Sequence, residues 1–247
     1  MNEHDLFVGR IEDMIRGEAA GESMVFSGFL SPEECVEAAA ICKNHGAPFM
    51  LFGGHESCER KMLAVSSYDE DTLRLCFPIA LLRVHAGDFS TIGNRDVLGA
   101  LMGSGIRRDV LGDIIVRDGQ VLFFANDAIK EYLIQNIDSI GRQNVKLSEA
   151  PPSYEIPKPH FEQLRITVAS LRADAVVGGL VKVSREQANR LIDGKLVSIN
   201  HILLMKKTKE VRAGDRVIIR GYGKWIIDAC DDLTRKGRAI LVCRKYI

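Results

Sequence analysis

Between Ser184 and Val217 the chain carries Arg185, Arg190, Lys195, Lys206, Lys207, Lys209, Arg212 and Arg216. Cations this dense on short elements suit a phosphate backbone better than any buried role. Ser184 and Gln187 have the spacing of a capping box, which predicts a helix from Arg185. Ala188, Leu191 and Ile192 give that helix one apolar face, and Gly194 is expected to close it in a left-handed cap. A helix starting there offers unpaired backbone N–H groups and a partial positive charge to an anion. Arg185 then lies beside the anion site, Arg190 projects away from the apolar face, and Lys195 follows the cap into the same groove. The competing reading of Arg190 is an exposed i, i+4 pair with Glu186, worth only about 0.3–0.5 kcal/mol.

Other candidate chemistry is weaker. His55-x-x-Cys58 with Cys35, Cys42 or His45 has the residue types for a metal, but zinc needs about four converging ligands. Cys35 and Cys42 have the spacing of a helix core, so buried thiols are expected and no metal. Gly103-Ser104-Gly105-Ile106-Arg107-Arg108 lacks the G-K-[ST] ending of a phosphate loop. It reads as a helix-ending loop whose two exposed arginines, Arg107 and Arg108, can touch RNA phosphate. Asp96 and Asp113 sit where helix capping and turn formation explain them, and no Ser/His/Asp order stands out. No dinucleotide fingerprint or synthetase signature is present, so no cofactor and no catalytic residue are expected.

These cations belong to a strongly segregated chain. Net charge is zero over 247 residues, yet residues 166–247 hold 17 Lys/Arg against 8 Asp/Glu. The remaining 16 basic residues face 25 acidic ones, and before residue 76 the ratio is 6 to 14. A basic end on an acidic body implies one region for nucleic acid and others held away from it. The start of the chain lacks a basic-then-apolar signal region, no apolar run spans a membrane, and the 6 cysteines show no C-x-x-C. A cytoplasmic protein with reduced thiols, no membrane partner and a monomeric state is expected.

The elements that must position the cations follow from periodicity and caps. Residues 6–15 form an amphipathic helix, and Ser31-Pro32-Glu33-Glu34 starts a second that stops at Gly46. Strands are expected at 48–52 and 60–66, closing a small acidic α/β domain over 1–75. Strand 79–84, helix 96–102, strands 113–116 and 120–124 around Asp118-Gly119, a helix from Asp127 through Ile140 and strand 145–147 follow. This β-α-β-β-α-β order is the ferredoxin-like, or α/β plait, plan, over 76–152. Phe123-Phe124 is the nearest thing to an aromatic RNA-stacking strand, and adjacent residues face opposite ways. Residues 150–159 are proline-dense and read as a linker and hinge. Strand 161–168 leads into the third domain, 165–247. The domain continues through strand 196–200, the Ala213-Gly214-Asp215 turn and strand 216–219. Strands 222–227 and 239–245 then pair across a turn at 231–237. The fold class expected is α+β in three beads.

SR-x-x-A-x-x-LI-x-x-G-x-V-x-IN, then a lysine pair and GD-x-V, resembles the RNA-binding module named after ribosomal protein S-four. Leu171-Arg172-Ala173-Asp174 is similar to that module's opening element, with Ala173 where leucine is usual, and His201 replaces the glycine usual after Asn200. The implied fold is an αL motif with β hairpins. The implied RNA contacts are Arg172, Ser184, Arg185, Arg190, Lys195, Asn200, Lys206 and Lys207, with Arg107 and Arg108 added from the middle domain.

The layout of nearly the whole chain further resembles the bacterial YlmH family. The residues that carry this are Gly53-Gly54-His55, Glu59-Arg60-Lys61-Met62, Asn94 to Leu101, Gly105 to Arg108, Gly112 to Ile115 and Ala169 to Arg172. His55 stands where tyrosine is common and Asn94 where histidine is common. The resemblance implies an RNA-binding protein on structured ribosomal or transfer RNA, associated with the large ribosomal subunit in quality control, with a link to cell division. The alternative is an RNA-modifying enzyme, of pseudouridine synthase or methyltransferase type, that docks through the same module.

Overall fold

Helix α1 (Glu3–Ala19) is longer than its apolar stripe, because Asn2 and Asp5 form a capping box that extends it backward. In this computed structural model the chain divides into two compact units, Met1–Pro157 and Lys158–Ile247. Residues 2–21, 24–151, 153–230, 234 and 237–247 are described.

In the first unit α1 is followed by β1 (Val25–Leu30), α2 (Pro32–Asn44), β2 (Phe49–Phe52), β3 (Lys61–Val65) and α3 (Glu70–Cys76). The Ser31/Glu34 capping box starts α2 as read from the sequence. Two of these elements were not anticipated. Helix α3 is short and capped by Asp69, which accepts from the Thr72 amide at 3.0 Å. Strand β1 carries a bulge between Phe26 and Phe29, where Ser27 and Gly28 together oppose Leu63 and break the alternation that marks a strand. These strands form a sheet in the order β1-β3-β2.

Next come β4 (Ile79–Ala86), α4 (Asn94–Gly103), β5 (Leu111–Arg117), β6 (Gln120–Asn126), α5 (Lys130–Asn136), β7 (Ser139–Ile140) and β8 (Gln143–Glu149). Their sheet order is β5-β6-β4-β8-β7, with every neighbour antiparallel. The two-residue turn at Asp118-Gly119 has φ of 52° and 67°, the mirror-image geometry that favours this dipeptide. One helix reading is corrected. Asn126, not Asp127, makes the cap, accepting from the Ala128 amide, while Asp127 pairs with Lys130 at 2.9 Å. Helix α5 then stops at Asn136, because Ser139-Ile140 is drawn into the sheet against Gln143-Asn144.

The boundary read at residue 75 separates two sheets but not two cores. Phe29, Met62 and Ala64 of the first sheet share a buried cluster with Phe124 of the second, and Leu81 and Ile115 pack against it. The proline-dense stretch is likewise held through Pro157. Tyr154 Oη donates to Gln120 Oε1 at 2.5 Å, Ile156 packs on the shared cluster, and Arg117 donates to the Pro157 carbonyl at 2.8 Å. Instead of an open hinge over 150–160, the division between units falls after this packed segment; Pro152 lies outside the described residues.

The second unit contains β9 (Phe161–Val168), α6 (Ala173–Val181), α7 (Arg185–Asp193), β10 (Val197–Ile199), β11 (Ile202–Leu203), β12 (Arg216–Ile219), β13 (Gly223–Ala229) and β14 (Ala239–Tyr246). The sheet order is β11-β10-β12-β13-β14-β9. Val176, Val177, Ala188 and Ile192 from the two helices share a core with Trp225, Ile227 and Leu241 from the sheet. Strands β13 and β14 pair as expected; most of the turn read between them, 231–233 and 235–236, lies outside the described residues. Taken together the chain is a mixed α and β protein.

Candidate nucleic-acid interface

Helix α6 reads ADAVVGGLV, apolar except for Asp174 in its first turn, and Asp174 is only 1% exposed. A carboxylate this deep must be paired or neutralised. It accepts from Arg172 Nε and Nη2 at 3.2 and 3.1 Å and from Arg185 Nε and Nη2 at 3.0 and 2.8 Å. Burial pushes the Asp174 carboxyl up, and the hydrogen bonds from the two arginines more than offset this, holding it below its ordinary range. Both arginines still reach solvent, with side chains 42% and 60% exposed. Asp174 therefore fixes the entry of α6 against the entry of α7 while presenting two guanidiniums outward.

The lysine loop is fastened to the same place. The Ala173 amide donates to the Lys209 carbonyl at 2.8 Å, and the Asp174 amide to the Lys207 carbonyl at 3.1 Å. These are amides that the first turn of a helix leaves without internal partners. Lys207 Nζ donates to Asp193 Oδ2 at 2.7 Å, tying the loop to the end of α7, while Lys206 and Lys209 are exposed. Arg172, Arg185 and the loop 206–209 thus form one connected cationic group at the start of α6.

Helix α7 begins as its sequence predicts. Ser184 Oγ accepts from the Gln187 amide at 3.2 Å and Gln187 Oε1 from the Ser184 amide at 3.0 Å. Ser184 thus serves as a cap. Arg190 pairs with Glu186 one turn back, both about three-quarters exposed. The cap at the other end differs from expectation: Gly194 has φ of −73°, and Lys195, at 56°, takes the left-handed conformation. Lys195 is exposed.

Two candidates are placed differently from the sequence reading, and a third, exposed as read, has an acidic partner. Asn200 is built into the fold: its Nδ2 donates to Asp215 Oδ1 at 2.7 Å and its Oδ1 accepts from the Arg216 amide at 2.8 Å. Asn200 and His201 both have positive φ, 52° and 65°, so the two-residue turn survives the loss of glycine. Arg107 is exposed but paired with Asp109. Arg108 is not the exposed arginine expected. It is half-buried and donates to the carbonyls of Leu111 and Gly112 at 2.7 and 3.1 Å, and burial with nearby Arg60 lowers it to about 10.

Sequence reasoning missed a second polar hub, in the first unit. Asp113 was read as a turn former, yet it lies inside β5 and accepts from the Glu59 and Arg60 amides at 2.6 and 3.0 Å. Burial raises the Asp113 carboxyl above its ordinary value. Arg60 donates to the carbonyls of Leu111, Phe29 and Arg108 at 3.0, 2.9 and 3.2 Å. Asp96 behaves as a cap, accepting from the Gly93 amide at 2.9 Å beside an open cleft of about 390 Å³. Among the described residues no three His, Cys, Asp or Glu side chains gather as a metal site. Cys35, Cys42 and Cys58 are buried, and burial pushes the Cys58 thiol up to about 12. Among the described residues no helix is long and apolar enough to cross a membrane.

Comparisons with known proteins agree with this layout. Residues 75–154 match the family model described as "Putative RNA-binding domain in YlmH". The chain is 27% identical over 217 residues to "Ribosome-associated protein quality control protein P2" of Bacillus subtilis (strain 168), covering 87% of this chain and 84% of that protein. It also shares the fold of a solved structure titled "Cell division protein ylmH from Streptococcus pneumoniae". The TM-score is 0.53 at 19% identity, over 61% of this chain and 93% of that one. The YlmH-family likeness read from the sequence is shown by these matches.

Proposed function

We propose that this chain is an RNA-binding protein of the ribosome, acting in translation-linked quality control as the name of its Bacillus relative states for that protein. The second unit is the S-four-type module and the main RNA-binding body. The β4–β8 region is a ferredoxin-like plait that adds a second contact. The carrying observation is the cationic group at the start of α6, where a single buried carboxylate and two backbone hydrogen bonds hold five basic residues together. Such a preorganised cluster meets phosphates at little ordering cost. Structured ribosomal or transfer RNA on the large subunit is the target class, and a monomer in the cytoplasm is the working state. A role in cell division is carried only by the name of the pneumococcal relative.

The binding reading is favoured over an RNA-modifying enzyme by the state of the two candidate carboxylates. Asp113 is engaged with two backbone amides inside the sheet, and Asp96, exposed beside its open cleft, is engaged in capping α4 through the Gly93 amide. The test uses the exposed cations that support nothing else: Lys195, Lys206 and Lys209 replaced together by alanine in the full chain. Three lost phosphate contacts should flatten the slope of log K against log salt by roughly 2 to 3. Co-sedimentation with the large ribosomal subunit should fall with it. A well-folded triple variant with an unchanged slope would overturn the assignment.

A further inference from the structure

The first unit holds a cleft of about 520 Å³ between α1 and β1, apart from every residue assigned to RNA above except Arg108. Its walls are apolar: Phe7, Ile11, Met14, Phe26, Phe29 and Leu30. The bulge in β1 shapes one side. There Ser27 Oγ accepts from the Leu63 amide at 2.8 Å and donates to the Gly28 carbonyl at 2.6 Å. Bulges recur beside functional sites because they open a sheet without ending it.

What sets this cleft apart is its charge. Arg60 and Arg108 both line it, and both are half-buried. Arg60 uses Nε and Nη2, and Arg108 uses Nη1, on backbone carbonyls. Among the described residues neither makes an ion pair, and Arg60 Nη1 with Arg108 Nε and Nη2 make no hydrogen bond. Glu34, Asp109 and Asp113 act on Arg60 from a distance, and Asp113 on Arg108, but the open N–H groups of two half-buried guanidiniums are costly unless an acceptor is supplied. The three carboxylates on the lining are engaged elsewhere. Glu34 accepts from the Ser31 amide at 2.6 Å, Asp109 pairs with Arg107, and Asp13 pairs with Arg16. Arg10, exposed on α1, adds a third cation at the cleft wall.

We propose that this cleft binds a small ligand with a flat apolar body and a single carboxylate, the body on the phenylalanine walls and the carboxylate on Arg60 and Arg108. The volume suits a small molecule, and planar guanidiniums match a carboxylate edge. Arg10, Arg60 and Arg108 on the lining are matched in number by Asp13, Glu34 and Asp109, so no excess of cations is left for a second negative charge on the ligand.

The probe is 2-naphthoate, titrated into the isotopically labelled full chain and followed by amide shifts. Neutral 2-naphthalenemethanol and dianionic 2-naphthyl phosphate are the controls. Saturable shifts should appear at residues 7–14, 26–30 and 108–109, with the alcohol and the phosphate ester each binding at least ten-fold more weakly. Arg108→Met should erase the preference for the acid. If that variant fails to fold, Met14→Trp, which fills the cleft without touching either arginine, should weaken naphthoate at least ten-fold. No saturable shift, equal binding of acid and alcohol, tighter binding of the phosphate ester, or full binding to Met14→Trp overturns the proposal. The RNA reading stands or falls separately, since Lys195, Lys206 and Lys209 take no part in this test.

Discussion

The two units solve the problem of buried charge in opposite ways. In the second, one deep carboxylate, Asp174, gathers two arginines that remain partly in solvent. In the first, two half-buried arginines gather carbonyl oxygens, and the nearby carboxylate Asp113 turns to backbone amides instead. The arrangement in the second unit pushes cations outward and suits a partner of many phosphates. The arrangement in the first unit keeps cations inside a cleft and suits one small anion. An arginine in a basic-looking motif therefore says little until its partner is known: Arg107-Arg108 looks like a surface pair, and only Arg107 is one.

Removing the arginines from Asp174 should have the largest effect. Arg172→Ala with Arg185→Ala leaves a buried carboxylate unpaired, a loss of about 3–5 kcal/mol, toward the lower end here because both arginines are partly solvated. Hydrogen exchange of the α6 amides should accelerate accordingly, while that of β5 stays unchanged. Unchanged α6 protection would mean the Asp174 hub is decorative.

The corresponding break in the first unit is Asp113→Ala, which strands two buried amide donors. The cost should be about 2–3 kcal/mol, seen as faster exchange at β5 and at residues 59–60 with α6 untouched. If α6 were destabilised instead, the division into two hubs would be wrong.

The hubs should also answer acid differently. Asp174 is held below its ordinary value, so its contribution is present above an unfolded pKa of 3.8 and is lost as pH falls through the lower folded value. Asp113 is raised, so its ionisation removes stability as pH climbs from 3.8 through its folded value. Carboxyl titration by NMR should place the two midpoints on opposite sides of 3.8. Two midpoints on the same side would dissolve the contrast.

Local signals in the sequence located most elements. The Ser31, Ser184 and Asp118-Gly119 signals each act within a few residues, and each reappears in the structure. Signals that depend on distant partners were not legible. Nothing in the spacing of Arg60 and Asp113 shows that they meet, since the contact is made across two sheets and a shared core. The bulge hid β1 by breaking its alternation, and the Asp127 cap failed because Asn126 caps the turn one residue earlier, leaving Asp127 to pair with Lys130. For the candidate site, the cations were legible as a composition bias. Which candidate residues are engaged in holding the fold was not: Arg185 on Asp174, Lys207 on Asp193 and the neutral Asn200 on Asp215 required coordinates.

The smallest effect compares one hairpin turn from each unit. Asp118-Gly119 and Asn200-His201 place both residues at positive φ, but only the first has a glycine at the second position. A left-handed conformation costs a side-chain-bearing residue roughly 1–2 kcal/mol that glycine avoids. His201 recovers part of this through its 3.1 Å contact with Arg216 Nη1. Glycine also carries more unfolded-state entropy, which works against the substitution. On balance His201→Gly should stabilise the second unit by about 0.5 kcal/mol, read as slower exchange of β10 and β11 amides. If exchange sped up instead, the His201–Arg216 contact would outweigh the strain. The histidine would then be a fastening of the β10–β11 hairpin rather than a tolerated replacement for glycine.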